Sequence, residues 1–485
     1  MNYISKQVFL EALDCPAAGW ARRHGKLADE EAEFYVRQGR EIGRLARSVF
    51  PEGRLVDAEN LQRAAQETEK LVETADIGTL FGVETLFEPT FLVPPYVTKA
   101  DVLRLTPTGW HLYEVKMAKT DDEAFVDDLA YTAMVIRAWG LAIERASLML
   151  LSEDYRYGMP YAELFRTVDH TEDVLARADA FRAHWDRVAE LTAADEAPET
   201  DLQLACKTCP YFQQVLWPEA GHHIFELPRL SEKRFRPLKD RNIEFIEDLP
   251  NDVELTRRQA LVRDCVRSGA PVVGPGLGEA LEAIEWPAFY LDFETISTAV
   301  PVYSGSAPFD VIPFQYSIHV AAAPGQVEDQ REFLAHPGAE PRRELAEALL
   351  RHLGDRGSIL TYSPYEERVI RDLAKQFPDL EDALGGLIER IVDLHKIIER
   401  HVAHPDFRGR TSIKKTLPVL VPEMSYENLE IGEGGDAMAQ YAALVWGDVD
   451  DPDEVQTILD HLREYCRQDT LAMARLHERL VELAS

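Results

Sequence analysis

Two carboxylates stand two positions apart at the end of an apolar run in residues 286–296, which read Trp-Pro-Ala-Phe-Tyr-Leu-Asp-Phe-Glu-Thr-Ile. Residues i and i+2 of a strand point to the same face, so Asp292 and Glu294 leave one side of a strand whose lead-in is apolar. Two like charges are costly to bury uncompensated, and a divalent cation supplies the compensation. The pattern therefore predicts a metal site. The alternative is an edge strand with a solvated acidic face.

A second acidic pattern lies near the end of the chain, where Tyr465 precedes Asp469 at the i, i+4 spacing that places both on one helix face. An Asp-x-Glu strand closed by a late Tyr-x-x-x-Asp resembles DnaQ-like 3′–5′ exonucleases of the DEDDy type. The middle acidic position of that family matches Glu366, which opens an amphipathic helix after an apolar run. This sequence has Glu where the family has Asp, and the family's upstream Asn is absent. Taken alone, Tyr465 is also consistent with a half-buried helix aromatic.

This resemblance implies both a fold and a chemistry for residues 286–485. The fold is an RNase H-like α/β sheet, with a strand predicted at 309–320, a helix at 342–353 and a further strand from Ser358. Phosphodiester hydrolysis needs an activated water and a stabilised leaving oxygen, which two Mg²⁺ or Mn²⁺ ions supply. The implied metal ligands are Asp292, Glu294, Glu366 and Asp469, and Tyr465 would orient the attacking water.

A different motif lies in the N-terminal half, where Asp101 is followed by Glu114 and Lys116. The runs 96–105 and 110–116 predict a hairpin that brings these side chains together. The order resembles PD-(D/E)XK nucleases of the RecB-like kind, in which the two carboxylates would bind Mg²⁺ and the lysine would stabilise the water or the developing negative charge. The alternative is a cross-strand salt-bridge surface. The helix predicted after this hairpin lacks the Gln-x-x-x-Tyr motif that RecB-like nucleases often carry.

Three cysteines, Cys15, Cys206 and Cys209, resemble three ligands of the [4Fe–4S] cluster that staples several RecB-like nucleases. The fourth ligand would fall at Val215, which cannot bind iron, so we expect a degenerate site without a stable cluster. A zinc ion held by the cysteine pair and a histidine from 222–223 is the lesser alternative.

Basic residues mark the candidate contacts with nucleic acid. Residues 228–249 begin with the most basic run of the chain, which includes Arg234 and Arg236. They end in a segment that resembles half of a helix-hairpin-helix, a unit that binds backbone phosphates; a structural pair of linker helices is the alternative. Lys414 and Lys415 stand in a Ser/Thr-rich setting and could contact phosphate, or could be exposed helix lysines.

Composition limits the function classes. A chain of 485 residues suggests two or three domains, and 46% hydrophobic with 28% charged residues is typical of a soluble globular protein. No stretch approaches about 20 uncharged apolar residues, so no membrane span is expected. The N-terminus lacks a signal-peptide layout and there are only five cysteines, which predicts a cytoplasmic protein without a disulfide framework. The net charge of −33 argues against a generic polyanion binder, although a basic groove can coexist with acidic outer surfaces.

Four longer phrases resemble a bacterial family whose C-terminal half is the domain of unknown function 2779. They are Tyr-Leu-Asp-Phe-Glu-Thr-Ile at 290–296, Ile-Pro-Phe-Gln-Tyr-Ser-Ile-His-Val at 312–320, Ser-Ile-Lys-Lys-Thr-Leu-Pro at 412–418 and Cys-Arg-Gln-Asp-Thr-Leu-Ala-Met at 466–473. The predicted domains are a RecB-like PD-(D/E)XK nuclease-type domain at 1–227, a helical connector at 228–285 and an RNase H-like DEDDy-type exonuclease domain at 286–485.

The expected function is a metal-dependent nuclease acting on DNA or RNA, with 3′–5′ exonuclease chemistry in the C-terminal domain. The alternative is a nucleic-acid- or protein-binding scaffold with a degenerate N-terminal nuclease fold.

Overall fold

The computed structural model describes residues 3–28, 33–75, 84–217, 221–424, 430–432 and 434–485. The pattern of residues 79–88 predicts a strand, and its first part, 79–83, lies outside the described residues. Among the residues described, no helix combines the length and the apolar content needed to cross a lipid bilayer. The fold is mixed α/β, as the sequence predicts.

The chain divides into two compact units. The first unit is Met1–Trp217 with Thr298–Asp310, and the second is Pro218–Ser297 with Val311–Ser485. The first unit thus ends ten residues before the boundary predicted at 227, and the predicted connector at 228–285 belongs to the second unit. The segment 298–310 was predicted inside the C-terminal domain but belongs to the first unit, where the Ala299 N–H donates to the Gln38 side-chain oxygen at 2.8 Å.

The first unit contains seven described α-helices and eight described strands. The helices are α1 (Lys6–Asp14), α2 (Pro16–Arg23), α3 (Glu33–Ala46), α4 (Leu61–Thr74), α5 (Glu123–Trp139), α6 (Thr171–Arg182) and α7 (Trp185–Ala193). The strands are β1 (Arg54–Leu55), β2 (Thr85–Phe87), β3 (Thr90–Val93), β4 (Tyr96–Lys99), β5 (Val102–Thr106), β6 (Gly109–Val115), β7 (Ile143–Leu151) and β8 (Phe165–Asp169). The polar stretch at 169–192, whose sequence predicts helical structure, lies mostly in the two helices α6 and α7.

Six strands of the first unit form a sheet in the order β1-β2-β5-β6-β7-β8, and β3 and β4 form a separate hairpin. Strands β5 and β6 are antiparallel, with Thr106 opposite Gly109 at their turn, as predicted. The run predicted as one strand at 96–105 is broken between β4 and β5, and Asp101 lies at that break. There, Asp101 Oδ2 accepts the Val115 N–H at 2.7 Å, which ties the break to the end of β6.

Helix α5 packs on this sheet and provides much of the core of the first unit. Its N-cap, Asp122, accepts the Ala124 N–H, and Gly140 ends it in the left-handed region at φ 114°. Its central residues are buried nearly all round, since they pack on strands on one side and on α6 on the other. The buried Tyr131 hydroxyl donates to the carbonyl of Ile4 at 2.7 Å, so this helix also holds the start of the chain.

The second unit contains ten described α-helices and seven described strands. The helices are α8 (Glu232–Asp240), α9 (Arg257–Ser268), α10 (Leu277–Glu282), α11 (Arg342–Leu353), α12 (Tyr365–Gln376), α13 (Glu381–Ile388), α14 (Leu394–His401), α15 (Ile413–Leu420), α16 (Gly434–Trp446) and α17 (Pro452–Ala484). The strands are β9 (Val272–Val273), β10 (Ala288–Ile296), β11 (Ile312–Ala323), β12 (Gln326–Leu334), β13 (Ile359–Thr361), β14 (Ile391–Asp393) and β15 (Val402–Ala403).

Five strands of the second unit form a mixed sheet in the order β12-β11-β10-β13-β14. Strands β12, β11 and β10 are antiparallel neighbours, whereas β13 and β14 run parallel to β10. The helix predicted at 342–353 is confirmed as α11, while the strand predicted at 309–320 begins only at Ile312. Strand β12 was not predicted.

The predicted connector contains α8, α9, β9 and α10. Helices α8 and α9 are separated by residues 241–256, which contain a short 3₁₀ helix at Ile246–Asp248. A helix-hairpin-helix needs two helices joined by a tight turn. Residues 238–249 instead span the end of α8 and an irregular segment. A capping box starts α9, with Thr256 and Gln259 exchanging side-chain and backbone hydrogen bonds.

Candidate active site

The two faces of the central strand β10 differ in polarity. Phe289, Leu291 and Phe293 point to one face, where they join an apolar cluster with side chains of α11 and α12. Because side chains alternate along a strand, Asp292 and Glu294 share the opposite face. That face packs against α17, which contacts β10 and β11. The apolar face thus fixes the register of β10, and the register fixes which face carries the carboxylates.

Helix α17 brings the second predicted acidic pair to this face. The Asp451 carboxylate caps its start by accepting the N–H groups of Asp453 and Glu454, and the helix then runs unbroken to Ala484. The Tyr465 hydroxyl hydrogen-bonds to Asp469, one turn further along. Tyr465 is only 5% exposed. Burial, followed by the charges of Asp469, Glu294 and Asp292, raises its pKa far above the ordinary value, so its hydroxyl stays a proton donor.

Glu366 reaches the same cluster from the first turn of α12. The segment before that helix ends at Pro364, and Ser363 Oγ donates to Glu366 Oε2 at 3.0 Å while it accepts the Tyr365 N–H at 2.9 Å. Glu366 is only 4% exposed. Burial raises its pKa to about 7, and the charge of Asp393 acts in the same direction.

The charges of these carboxylates act on one another. Burial first, and then the charges of Asp469, Glu294 and Glu366, raise the pKa of Asp292 well above its ordinary value. Glu294 is raised in the same way by burial and by Asp469 and Glu366, with the Lys414 ammonium as an opposing charge. We call Asp292, Glu294, Glu366 and Asp469 the carboxylate cluster. Its members repel one another in a buried site, so bound cations would stabilise it.

The donor atoms of the carboxylate cluster fit hard divalent ions. Oxygen atoms of Asp292 and Glu294 and the sulfur of Cys466 all lie within 4.8 Å of one another. The Cys466 thiol has another partner, because its Sγ donates to the Asp292 carbonyl at 3.8 Å. Burial, and after it the charges of the neighbouring carboxylates, raise the pKa of this thiol. The remaining donors are carboxylate oxygens, the ligands that Mg²⁺ and Mn²⁺ prefer.

A polar column on the neighbouring strand β11 supports this site. Its members, Gln315, Ser317 and His319, lie opposite Glu294, Asp292 and Tyr290 in the antiparallel register. Thr470, next to Asp469, contacts both Ser317 Oγ at 2.9 Å and His319 Nδ1 at 2.8 Å, and Gln315 Nε2 donates to the Leu462 carbonyl at 2.9 Å.

Sequence reasoning did not assign these residues a role. The sequence does contain a signal for the polar column. In Gln-x-Ser-x-His, three polar residues alternate along a strand that is expected to pair with the Asp-x-Glu strand.

The residues of the N-terminal motif also lie together, but their neighbours include positively charged side chains. Glu114 is 4% exposed, at the end of β6, and Lys116 follows it. The Lys116 ammonium pairs with Glu114 at 3.1 Å and with Asp128 of α5. A second ammonium, Lys6 of α1, hydrogen-bonds to Glu114 Oε1 at 2.5 Å. We call Lys6, Asp101, Glu114, Lys116 and Asp128 the lysine-paired cluster; Lys6 and Asp128 were not predicted.

The three predicted cysteines line one cavity of about 1180 Å³ in the first unit. Burial raises the pKa of Cys15, and its thiol hydrogen-bonds with that of Cys209. Cys206 instead accepts the Gln203 N–H at 3.3 Å. Within the part of the chain that the structure describes, these three sulfurs do not form a group whose atoms all lie within 4.8 Å of one another. Val215, at the fourth position, is 45% exposed.

The predicted nucleic-acid contacts have different surroundings. Lys414 lies close enough to Glu294 to lower its pKa, and the adjacent Lys415 is exposed on α15. Arg234 Nε donates to the Glu254 carbonyl at 3.3 Å, and Arg236 pairs with Glu232 at 3.7 Å. Both arginines are thus held locally on α8.

Comparison with known proteins supports the predicted resemblance for part of the chain. Residues 289–412 match the model of the Domain of unknown function (DUF2779), a range that contains Asp292, Glu294 and Glu366. The chain is also 28% identical over 203 residues to "Uncharacterized protein MG366 homolog" of Mycoplasma pneumoniae (strain ATCC 29342 / M129 / Subtype 1). That match covers 38% of this chain and 30% of the relative, so the chain spans under a third of the relative's length.

Proposed function

We propose that this protein is a metal-dependent nuclease of DNA or RNA, with 3′–5′ exonuclease activity in its second unit. The observation that carries the proposal is the proximity of four carboxylates and a tyrosine hydroxyl around the central strand β10, where the charges of these acids act on one another and on Tyr465. They come from β10, α12 and α17, which are far apart in the chain. Buried acids of this number are destabilising on their own, so a functional reason for keeping them is required.

The topology of the second unit supports an RNase H-like fold. Three antiparallel strands are followed by α11 and then by two strands parallel to the first, with β10 at the centre of the sheet. The Asp-x-Glu motif thus lies on the first and central strand of this sheet, and the resemblance to DnaQ-like exonucleases implies such a strand near the start of the domain. For the first unit, the pairing of β5 with β6 supports a fold of the PD-(D/E)XK kind.

Each residue of the site has a separate proposed role. The carboxylate cluster would hold two Mg²⁺ or Mn²⁺ ions, which supply an activated water and stabilise the leaving oxygen. Tyr465 keeps its proton, so its hydroxyl can orient a water or a phosphate oxygen. Ser363 fixes the rotamer of Glu366, and Thr470 fixes the helix turn that carries Asp469. Lys414 provides positive charge beside the cluster, and Lys415 adds positive charge on the same helix, where an anionic strand would enter.

The test is an assay on end-labelled single-stranded DNA and RNA with Mn²⁺ or EDTA. Wild type should shorten the strands stepwise from the 3′ end with Mn²⁺ only, and Asp292→Asn/Glu294→Gln should not. The matched control is Glu367→Gln, which removes a carboxylate next to Glu366 that pairs with Arg371 on the surface. Activity in the double variant, or no activity of wild type on any single-stranded, duplex or flap substrate, would contradict the proposal.

A second role, binding without catalysis, concerns the first unit. It is favoured by the lysine-paired cluster, in which ammonium groups already neutralise the acids of the motif. The first unit would then bind nucleic acid or a protein, as a scaffold.

A further inference from the structure

The lysine-paired cluster contains three carboxylates and two ammonium groups. Glu114 Oε1 lies 2.5 Å from Lys6 Nζ and 3.1 Å from Lys116 Nζ, and Asp128 Oδ2 lies 3.6 Å from Lys6 Nζ and closer still to Lys116. Asp101 Oδ2 is bonded to the Val115 N–H. The acid groups of the motif therefore have positively charged or N–H partners from the protein itself.

A divalent ion does not fit this arrangement. An ion bound by Asp101 and Glu114 would lie beside two ammonium groups that share the same Glu114 oxygen, and like charges at such distances repel strongly in a buried site. The carboxylate cluster of the second unit differs, because four acids meet there and Lys414 is the cation that acts on Glu294.

The position of Lys6 is fixed by the backbone before it. Ile4 forms a β-bridge with Tyr96, in which the Ile4 N–H donates to the Pro95 carbonyl at 2.8 Å and the Val97 N–H donates to the Ile4 carbonyl at 3.1 Å. Ser5 then caps α1 through the Val8 N–H. Lys6 is thus the first residue of a helix anchored at both the bridge and the cap, and its ammonium is directed to Glu114 by that anchoring.

We propose that the Lys6 ammonium occupies the place of a divalent ion at Asp101 and Glu114 and thereby prevents such an ion from binding there. The consequence is that the first unit binds no Mg²⁺ or Mn²⁺ at the motif, and that removing one positive charge opens the site. This inference concerns a site separate from the carboxylate cluster and does not depend on exonuclease activity.

The test measures Mn²⁺ binding to the full chain through the electron paramagnetic resonance signal of free Mn²⁺. The second-unit site is first disabled with Asp292→Ala/Glu294→Ala, and the difference from wild type reports that site alone. On this background, Lys6→Met and Lys6→Gln should each add one bound ion. The affinity of the first unit for Mn²⁺ should rise about tenfold or more over that of the background protein, the scale of removing one adjacent charge. Adding Glu114→Gln should abolish the new site.

The matched control is Lys6→Arg on the same background, which keeps the charge and should add no ion. The proposal is overturned if the background protein already binds an ion that Glu114→Gln removes. It is also overturned if neither neutral variant gains an ion, or if Lys6→Arg gains one as well. Thermal unfolding of each variant checks that α1 remains folded.

Discussion

Removing one acid from the carboxylate cluster should stabilise the metal-free protein. The change is Asp292→Asn, which keeps the size of the side chain and removes its charge. Oxygens of Asp292 and Glu294 lie within 4.8 Å of each other. Two unit charges at that distance repel by about 3.5 kcal/mol at an effective dielectric constant of about 20. Asp469 and Glu366 add to the repulsion.

Part of this repulsion is already relieved by protonation, because the pKa of both Asp292 and Glu294 is raised. We therefore expect a gain in unfolding free energy of about 1–3 kcal/mol at pH 8, or a rise in Tm on the order of 5 °C. A carboxyl with a raised folded-state pKa favours folding below its unfolded pKa and loses that advantage as pH rises. The gain should therefore be larger at pH 8 than at pH 5.

The assay is thermal unfolding in EDTA and in Mn²⁺. Saturating Mn²⁺ should raise the Tm of wild type, since an ion at about 100 times its Kd stabilises by about 2.7 kcal/mol, and should do so far less in Asp292→Asn. The control is Asp372→Asn, which removes an exposed acid paired with Lys375 on α12 and should change stability by about 1 kcal/mol or less. A lower Tm of Asp292→Asn in EDTA, or an unchanged response to Mn²⁺, would refute the reasoning.

Three further predictions concern the surroundings of the carboxylate cluster. Tyr465→Phe should keep the Mn²⁺-dependent rise in Tm but lower the exonuclease rate by about 10²-fold, measured on end-labelled strands; an unchanged rate would exclude a role for the hydroxyl. Thr470→Val leaves Ser317 and His319 without their shared partner and should cost about 1–3 kcal/mol in urea unfolding, with a cost near zero counting against the polar column. Burial lowers the pKa of His477 to about 4, so the fold loses up to about 3 kcal/mol as pH falls from 6.5 to 4. That loss should be smaller in His477→Phe, and an equal loss in both proteins would contradict the assignment.

Local patterns in the sequence predicted the elements that carry the acids. Alternation in residues 288–296 identified the face of Asp292 and Glu294, because an apolar face must be buried and a one-residue slip would expose it. The bounds of α11 follow from Pro341 before it and Gly354 after it, where φ is 57°. Whether the acids serve a nuclease stays a prediction.

The unpredicted parts depend on contacts that local patterns do not encode. Strand β12 reads Gln-Val-Glu-Asp-Gln-Arg-Glu-Phe-Leu and lies at an edge of the sheet, where Glu328 and Asp329 are exposed, and no apolar alternation marks it. The pairing of Lys6 with Glu114 joins positions 108 residues apart. The Pro, Gly and Ser residues of 298–310 mark a loop between two strands, but nothing in the composition of this loop indicates that it belongs to the first unit.

The two clusters show why a motif alone does not define a metal site. Both clusters contain buried acids at a strand and contact a helix, but the charges of those acids are compensated differently. In the first unit, α1 supplies an ammonium to the acid of the Glu-x-Lys motif, and with Lys116 it holds the pKa of Glu114 below its ordinary value against burial. Compensation is incomplete at Asp101, where burial and then the charge of Glu114 raise the pKa to about 7. In the second, α17 supplies another acid, so burial is left uncompensated and the pKa values rise. A protein retains uncompensated buried acids at a cost in stability, and that cost is the physical reason why we propose metal-dependent chemistry for the second cluster rather than for the first.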